Sequence, residues 1–520
     1  MAATDFSMHA ILAQQTERTR GRSPTEIKQL IAESDFRVTS IQNEIAALES
    51  HIAALVERRD RQYAAGAALR FLVAPIRKLP VELLAEIFLL TVRESDEFNS
   101  LYIRDAYRVS HVCRHWTQVA NGTPRLWTGH IQVNFHRQRS FTGEEIYANG
   151  LRTWLERSVP LSIPLSITGL INSSWLTASG SRLTEELLRI APRWRSLWMH
   201  SVDCTFVQQL AGSMLDSLEE LEMWCACHGS SHSDPTTLSS FTTAPRLRKV
   251  AFNTTCGIPV PWVQLTDITL NNQISCEIFL DIFSQCKNVV RASFGTTGWS
   301  VLPPAKSEML ALDRLRFLFV TFTEAQLHDM RIFDCLSAPA LDELCLFFEY
   351  DGRIGWAEAT FTAFQLRSPN ITKFQIEGND FFVPSNALIT AFRHAPLLTH
   401  LSIEDCPGSI DEALLQALSY TDTVEPLDPR LHSLAVAEIN GNFSQDGLAD
   451  MIASRWWTNA ELASRSRPPA VARWRQIRLR DDSNHSSFEF SPNFYDTMDA
   501  LQNTGLDVDF VELDSWKLNW

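Results

Sequence analysis

"APALDELCL", residues 338–346, sets a proline ahead of three apolar positions, Leu341, Leu344 and Leu346, in the spacing L-x-x-L-x-L. The last two alternate like one face of a short strand, and the proline disfavours helix at the residue before it, so a preceding helix stops there. The same phrase returns as "APRWRSLWM" at 191, "APRLRKVAF" at 244, "SPNITKFQI" at 368, "APLLTHLSI" at 395 and "DPRLHSLAV" at 428. Versions without the proline are "LEELEM" at 218, "LTDITL" at 265, "VVRASF" at 289, "LRFLFV" at 315 and "WRQIRL" at 474. From Trp194 to Trp474 the first apolar positions are spaced by 18 to 43 residues, mostly by 24 to 30. A period of that length marks a stack of repeated units, each too small to bury its own apolar face.

Between phrases lie segments with helical spacing, such as "SCEIFLDIFSQCK", where Ile278, Phe279, Ile282 and Phe283 share a side, and "SNALITAFRHA", with Leu388, Ile389 and Phe392. Counted from the first apolar residues Ile371 and Leu398, Asn379 and Cys406 fall at the ninth position. The array resembles a divergent leucine-rich-repeat solenoid, in which parallel strands form one wall and residues alternating with the buried leucines point outward from it. In that register the wall carries Trp198, His200, Trp224, Phe319, Cys345, Phe347, Gln375, Glu377, Ser402, Glu404, Arg478 and Arg480. The aromatic members suit a protein partner, because exposed aromatic clusters mark interfaces. The target-binding residues expected are Trp198, His200, Trp224, Phe319, Phe347, Glu377, Glu404, Arg478 and Arg480.

Residues 24–70 read as one long helix. Ile27, Ile31, Ser34, Val38, Ile41, Ile45, Leu48, Ile52 and Leu55 follow in alternating steps of four and three, a heptad seam with Ser34 its one soft position. "SPTE" supplies an N-cap at Ser23, proline at the first helical position and Glu26 for a capping box. Two readings stand side by side: a homodimer through residues 27–55, for which the β-branched a positions favour a parallel coil, or a single long helix folding back on the next domain.

"IRKLPVELLAEIFLL" places Leu83, Leu84, Ile87 and Phe88 at helical spacing after Leu79 and Pro80. "VSHVCRHW", residues 109–116, continues to Val119 and Ala120, and on one helix Val109, Val112, Cys113, Trp116, Val119 and Ala120 form an apolar stripe. On such a helix His111 and His115 share a face from which Cys113 points away, which argues against a metal or Cys-His site. "LPVELLAEIF" followed by "YRVSHVCRHWTQVANGTPRLW" closely resembles the F-box, in the form common among mushroom-type fungi, where a heptad helix often comes first. The connection "TVRESDEFNSLYIRDAY" is longer and more acidic than in many F-boxes. The resemblance implies a three-helix domain that binds a Skp-type adaptor and, through it, a cullin complex. The adaptor-binding residues it implies are Leu79, Pro80, Leu83, Leu84, Ile87 and Phe88, together with Val109, Val112, Cys113 and Trp116, which are shared between the F-box core and that interface.

The 520 residues carry a net charge of -15, which disfavours nucleic acid and anionic membranes as partners. No apolar stretch is long enough to span a bilayer and no signal peptide is evident, so a cytoplasmic or nuclear location is expected. The ten cysteines are scattered, in keeping with reduced thiols. "CACHGSSH" gathers Cys225, Cys227, His228 and His232 but lacks a zinc spacing, and the arginines of "SRSRPPAVARWRQIRLR" are followed at once by Asp481 and Asp482. No nucleotide-binding, hydrolase or metalloprotease motif occurs, so neither metal nor cofactor nor catalysis is expected.

The fold expected is α/β overall: a flexible tail at 1–23, the heptad helix at 24–70, an all-α three-helix F-box-like domain at 71–130, a connector with possible first repeats at 131–185, and a leucine-rich-repeat-like solenoid at 186–520. The function expected is the non-catalytic substrate-recognition subunit of a Skp/cullin/F-box-type ubiquitin ligase. The alternative is a protein-interaction scaffold dimerised by its N-terminal helix, without a ubiquitin role.

Overall fold

The computed structural model describes residues 8–92, 101–135, 141–169, 182–201, 204–210, 212–224, 241–253, 259–296, 299, 309–323, 330–349, 356–378, 382–406, 408–437, 443–480 and 490–510. The chain divides into two compact units, Met1–Ile87 and Phe88–Trp520.

In the first unit, helix α1 covers Met8–Arg18, so part of the segment expected as a flexible tail is helical. Helix α2 runs from Pro24 to Val73. The Ser23 N–H donates to Glu26 Oε2 at 2.8 Å, and the Glu26 N–H donates to Ser23 Oγ at 3.4 Å, which satisfies two N-terminal donors reciprocally. Along α2 the seam residues Ile31, Val38, Ile41, Ile45, Leu48, Ile52 and Leu55 are 49% to 60% exposed. A 3-10 turn at Pro75–Lys78 follows, and then helix α3, Val81–Thr91, which continues into the second unit. None of the described helices is long and apolar enough to cross a membrane.

In the second unit, helices α4, Leu101–Ser110, and α5, Arg114–Asn121, are separate. The single helix expected through 109–120 is broken at His111–Cys113, and the continuous stripe with it. The break is held by Thr117, whose Oγ1 donates to the carbonyl oxygen of Ser110 at 2.6 Å and of Cys113 at 3.1 Å. One of the carbonyls left unpaired at the C-terminus of α4 is thereby satisfied. The chain then turns through Pro124–Trp127, where Trp127 is fully buried and its Nε1–H donates to the Ala120 carbonyl at 2.7 Å. Trp127 meets Trp154 of helix α6, Phe141–Arg157, at 4.9 Å between ring centroids, with the Arg157 guanidinium 4.5 Å from its own ring. Gly129 ends the turn because Tyr102 lies against it: a Cβ there would come within 2.0 Å of the ring.

Beyond this point the described residues form a sheet of fourteen parallel strands in which spatial order follows chain order. The strands are Ile131–Asn134, Ile163–Thr168, Trp194–His200, Glu220–Trp224, Lys249–Phe252, Asp267–Gln273, Arg291–Thr296, Phe317–Phe322, Glu343–Phe348, Lys373–Gly378, His400–Glu404, Ser433–Ala437, Gln476–Arg480 and Asp507–Phe510. A short parallel pair, Leu310–Ala311 with Leu336–Ser337, lies apart from them. Each of the eleven repeated phrases coincides with a strand of the large sheet, and each first apolar residue, from Trp194 through Leu341 to Trp474, is no more than 2% exposed. Two strands precede the phrases, inside the region expected as a connector, and one follows them. Helices or turns run between successive strands. In Cys276–Gln285 the buried residues are Cys276, Phe279, Leu280 and Phe283, and in Ser385–Arg393 they include Leu388 and Phe392. Cys406 is buried, whereas Asn379 lies outside the described residues.

Candidate functional site

Helix α3 presents two faces. At 100° per residue, Leu84, Phe88 and Val92 follow one another on the first, and all three are buried. Pro80, Leu83, Ile87 and Leu90 recur at steps of three, four and three on the other. Leu83 is 54% and Leu90 is 84% exposed, Pro80 is exposed and Ile87 half-buried. The residues grouped as adaptor-facing in the sequence therefore separate: Leu84 and Phe88 belong to the core, while Pro80, Leu83 and Ile87 form an apolar stripe open to solvent. Leu79 is half-buried. Leu90 is not among the residues expected from the sequence, although it lies i+7 from Leu83 on the same helix face.

Of the second-unit candidates, Trp116 packs against Phe88 with ring centroids 4.8 Å apart and is half-buried, as is Val109. Val112 is 54% exposed in the turn between α4 and α5, so it presents an apolar side chain from a loop and not from a helical stripe. Cys113 takes the N-cap position of α5 in extended backbone, half-buried, with no side-chain capping bond. Among the described residues no group of three or more His, Cys, Asp or Glu side chains is placed to hold a metal ion. The Cys225, Cys227, His228 and His232 cluster lies outside the described residues, as does the acidic segment 93–100.

The sheet carries the other candidates on one face, in rows fixed by strand register. Trp198 pairs with Glu222, and His200 with Trp224. Phe319 is aligned with Cys345, Gln375 and Ser402, and Phe347 with Glu377 and Glu404. The rows then pass through Ala435 and Ala437 to Arg478 and Arg480. Trp224 is 37% exposed and stacks on His200 at 5.5 Å, while its Nε1–H donates to Glu222 Oε1 at 2.6 Å. Trp198 packs on His130, whose pKa is lowered by burial. Phe319, Phe347, Glu377, Arg478 and Arg480 are all half-buried.

Three of the residues expected to point outward do not present themselves. Ser402 and Cys345 are buried, and Glu404 is only 4% exposed. Adjacent strands lie roughly 4.8 Å apart, so longer neighbours cover short side chains between them. Glu404 is drawn down by two bonds to its Oε1, from Ser402 Oγ at 2.8 Å and from Gln375 Nε2 at 3.1 Å. It supports the face from below and is too buried to touch a target. Burial, with the carboxylates of Glu343, Glu377 and Glu404 nearby, pushes the Cys345 thiol up to about 12, so it stays protonated and is no nucleophile.

A third row on the same face is not evident from the sequence. Glu220, Lys249, Asp267, Arg291, Phe317, Glu343 and Lys373 occupy aligned positions on successive strands. Lys249 Nζ lies 3.0 Å from Glu220, Lys373 Nζ lies 3.8 Å from Glu343, and the Arg291 guanidinium sits 4.0 Å from the Phe317 ring centroid. Alternating charge from strands 18 to 30 residues apart has no local signature, so only the register reveals it. Two arginines of the 465–480 run are likewise engaged within the chain: Arg465 with Asp422 and Trp457, and Arg473 with the Trp457 carbonyl and Asn459.

No curated protein matches the chain. Residues 76–132, which span α3, α4, α5 and the turn ending at Trp127, match the family model described as F-box-like, and the chain thus carries an F-box-like domain.

Proposed function

We propose that this chain is the substrate-recognition subunit of a Skp/cullin/F-box-type ubiquitin ligase, of the kind found in mushroom-type fungi, with a leucine-rich-repeat-like solenoid as its target-binding part. The observation that carries this reading is the solvent-open apolar stripe of Pro80, Leu83, Ile87 and Leu90 within the F-box-like residues. Apolar residues repeated on one helix face and left open to water suit a helical adaptor surface. The sequential parallel strands and the period of the phrases support the solenoid reading, and the aligned Trp198, His200, Trp224, Phe319 and Phe347, continued by Glu377, Arg478 and Arg480, make the target wall. The subunit is itself non-catalytic: ubiquitin transfer is promoted by bringing a target close to an enzyme held elsewhere in the assembly.

The test is co-purification of the full chain with a Skp-type adaptor. Wild type should bind, and Leu83→Asp with Leu90→Asp should abolish binding while the circular dichroism spectrum is kept. Failure of wild type to bind, or unchanged binding by the double variant, overturns the adaptor reading. On the wall, Trp224→Ala with Phe319→Ala should lose partners captured by proximity labelling without losing the adaptor. Retention of every partner refutes the wall.

A further inference from the structure

The heptad seam of α2 is exposed from Ile31 to Leu55, and the residues flanking it are arranged for one particular occupant. With Ile31, Val38, Ile45 and Ile52 at a and Ile27, Ser34, Ile41 and Leu48 at d, the e positions hold Lys28, Asp35, Gln42 and Glu49. The g positions hold Leu30, Arg37, Glu44 and His51. These flanking residues decide how two copies of the helix can pair, because their side chains cross the edges of the apolar seam.

In a parallel, in-register pair, g meets the e of the next heptad. Glu44 of one copy then faces Glu49 of the other, twice, and Arg37 faces the neutral Gln42. Reversing one helix brings e against e and g against g. With Val38 opposite Ile41 at the centre, the eight seam residues from Ile27 to Ile52 pair completely: Ile27 with Ile52, Ile31 with Leu48, Ser34 with Ile45, and Val38 with Ile41. In that register Lys28 faces Glu49 and Arg37 faces Glu44, each twice by symmetry, and no like charges meet. Sliding by one heptad toward the C-terminus sets Asp35 against Glu49 and Glu44 against Glu44, and sliding the other way sets Arg37 against Arg37. Of these three antiparallel registers, only the one centred between Val38 and Ile41 combines a completely paired row from Ile27 to Ile52 with complementary charge.

We infer that α2 is an antiparallel homodimerisation element with its two-fold axis between Val38 and Ile41. The β-branched a positions favour a parallel pair, but the doubled Glu44 and Glu49 contacts oppose it. Arg37 already contacts Glu33 on the surface of its own helix. A solvent-exposed pair of that kind contributes little, so Arg37 reaches across to the second copy at small cost. The closed, isologous contact limits assembly to two chains. A dimer carries two F-box-like domains and two target walls, so a target with two recognition segments is held with avidity. The inference does not depend on adaptor binding.

Sedimentation equilibrium of the full chain tests it. Wild type should be dimeric at about 10 μM. Glu44→Arg sets the introduced guanidinium against Arg37 twice and should raise the dimer dissociation constant roughly tenfold. Arg37→Glu with Glu44→Arg restores opposite charges and should return it to within about twofold of wild type. Helicity is followed alongside, and these exposed substitutions should leave it unchanged. A monomeric wild type overturns the inference. So does a dimer that Glu44→Arg leaves unchanged, or tightens, as it would a parallel pair by setting the new cation against Glu49.

Discussion

His400 opens the His400–Glu404 strand and His432 lies one residue before the neighbouring Ser433–Ala437 strand, with their ring centroids 5.0 Å apart. Burial, the second imidazole and the cations Lys373 and Arg475 all disfavour a proton on His400, which brings its pKa down from 6.5 to about 4; burial also lowers that of His432. Between these two values the unfolded chain binds a proton that the folded chain refuses. The stability associated with neutral His400 is therefore present above pH 6.5 and is lost as pH falls toward 4. Thermal unfolding of wild type and His400→Asn at pH 7 and pH 5 checks this: with solvent screening at the half-buried ring, the variant's acid loss should be smaller by about 1 kcal/mol. Equal losses would mean that His400 titrates as it does in the unfolded chain. Little at this scale is legible in the sequence. Arg455 is fully buried, with Nη2 donating to the carbonyls of Asp428 at 2.8 Å and Leu431 at 3.2 Å and its guanidinium 4.8 Å from the Trp474 ring centroid. Burial lowers its pKa to about 10, with Asp428 opposing that shift. Those acceptors lie 24 to 27 residues upstream, beyond any local pattern, and "ASRWW" reads as an ordinary helix end.

At the scale of elements, periodicity carries the information that single residues lack. The repeated phrase predicts strands because each copy buries the same three positions against its neighbours, and proline or a polar residue marks where each one starts. The heptad row and capping box likewise predict α2 nearly to its ends. The failure at 109–120 has a physical cause: helical spacing is satisfied by two helices meeting at a corner as readily as by one, since Val119 and Ala120 of α5 are buried in either case. What decides the corner is Thr117, a residue off the supposed stripe, between Trp116 and Val119, whose hydroxyl binds a carbonyl seven positions back. Thr117→Val keeps the shape and removes that donor, so the Ser110 carbonyl loses its tie to α5. A loss of about 1 to 2 kcal/mol is expected, read as faster amide exchange across 101–121 and a lower melting temperature. If exchange there is unchanged, packing alone sets the corner.

For the whole molecule, strand order decides how a local defect spreads. Within the large sheet each described strand pairs with its neighbours in chain order, and among the described residues no strand pairing ties one end of the array to the other. Stability in such an arrangement is close to a sum of neighbour terms, and a cavity in one rung should loosen that rung and those beside it. Leu341 is the test position, since it is fully buried two residues before the Glu343–Phe348 strand. Leu341→Ala should cost about 2 to 5 kcal/mol locally. Hydrogen exchange should quicken in Phe317–Phe322, Glu343–Phe348 and Lys373–Gly378, the strands in direct register with the defect. Trp194–His200 and Gln476–Arg480, six strands before and four strands after Glu343–Phe348 in the spatial order, should keep their protection. A uniform acceleration across all these segments would instead make the sheet one cooperative unit, in which the rows of ion pairs and aromatic contacts that cross many strands bind the rungs more tightly than nearest-neighbour pairing alone.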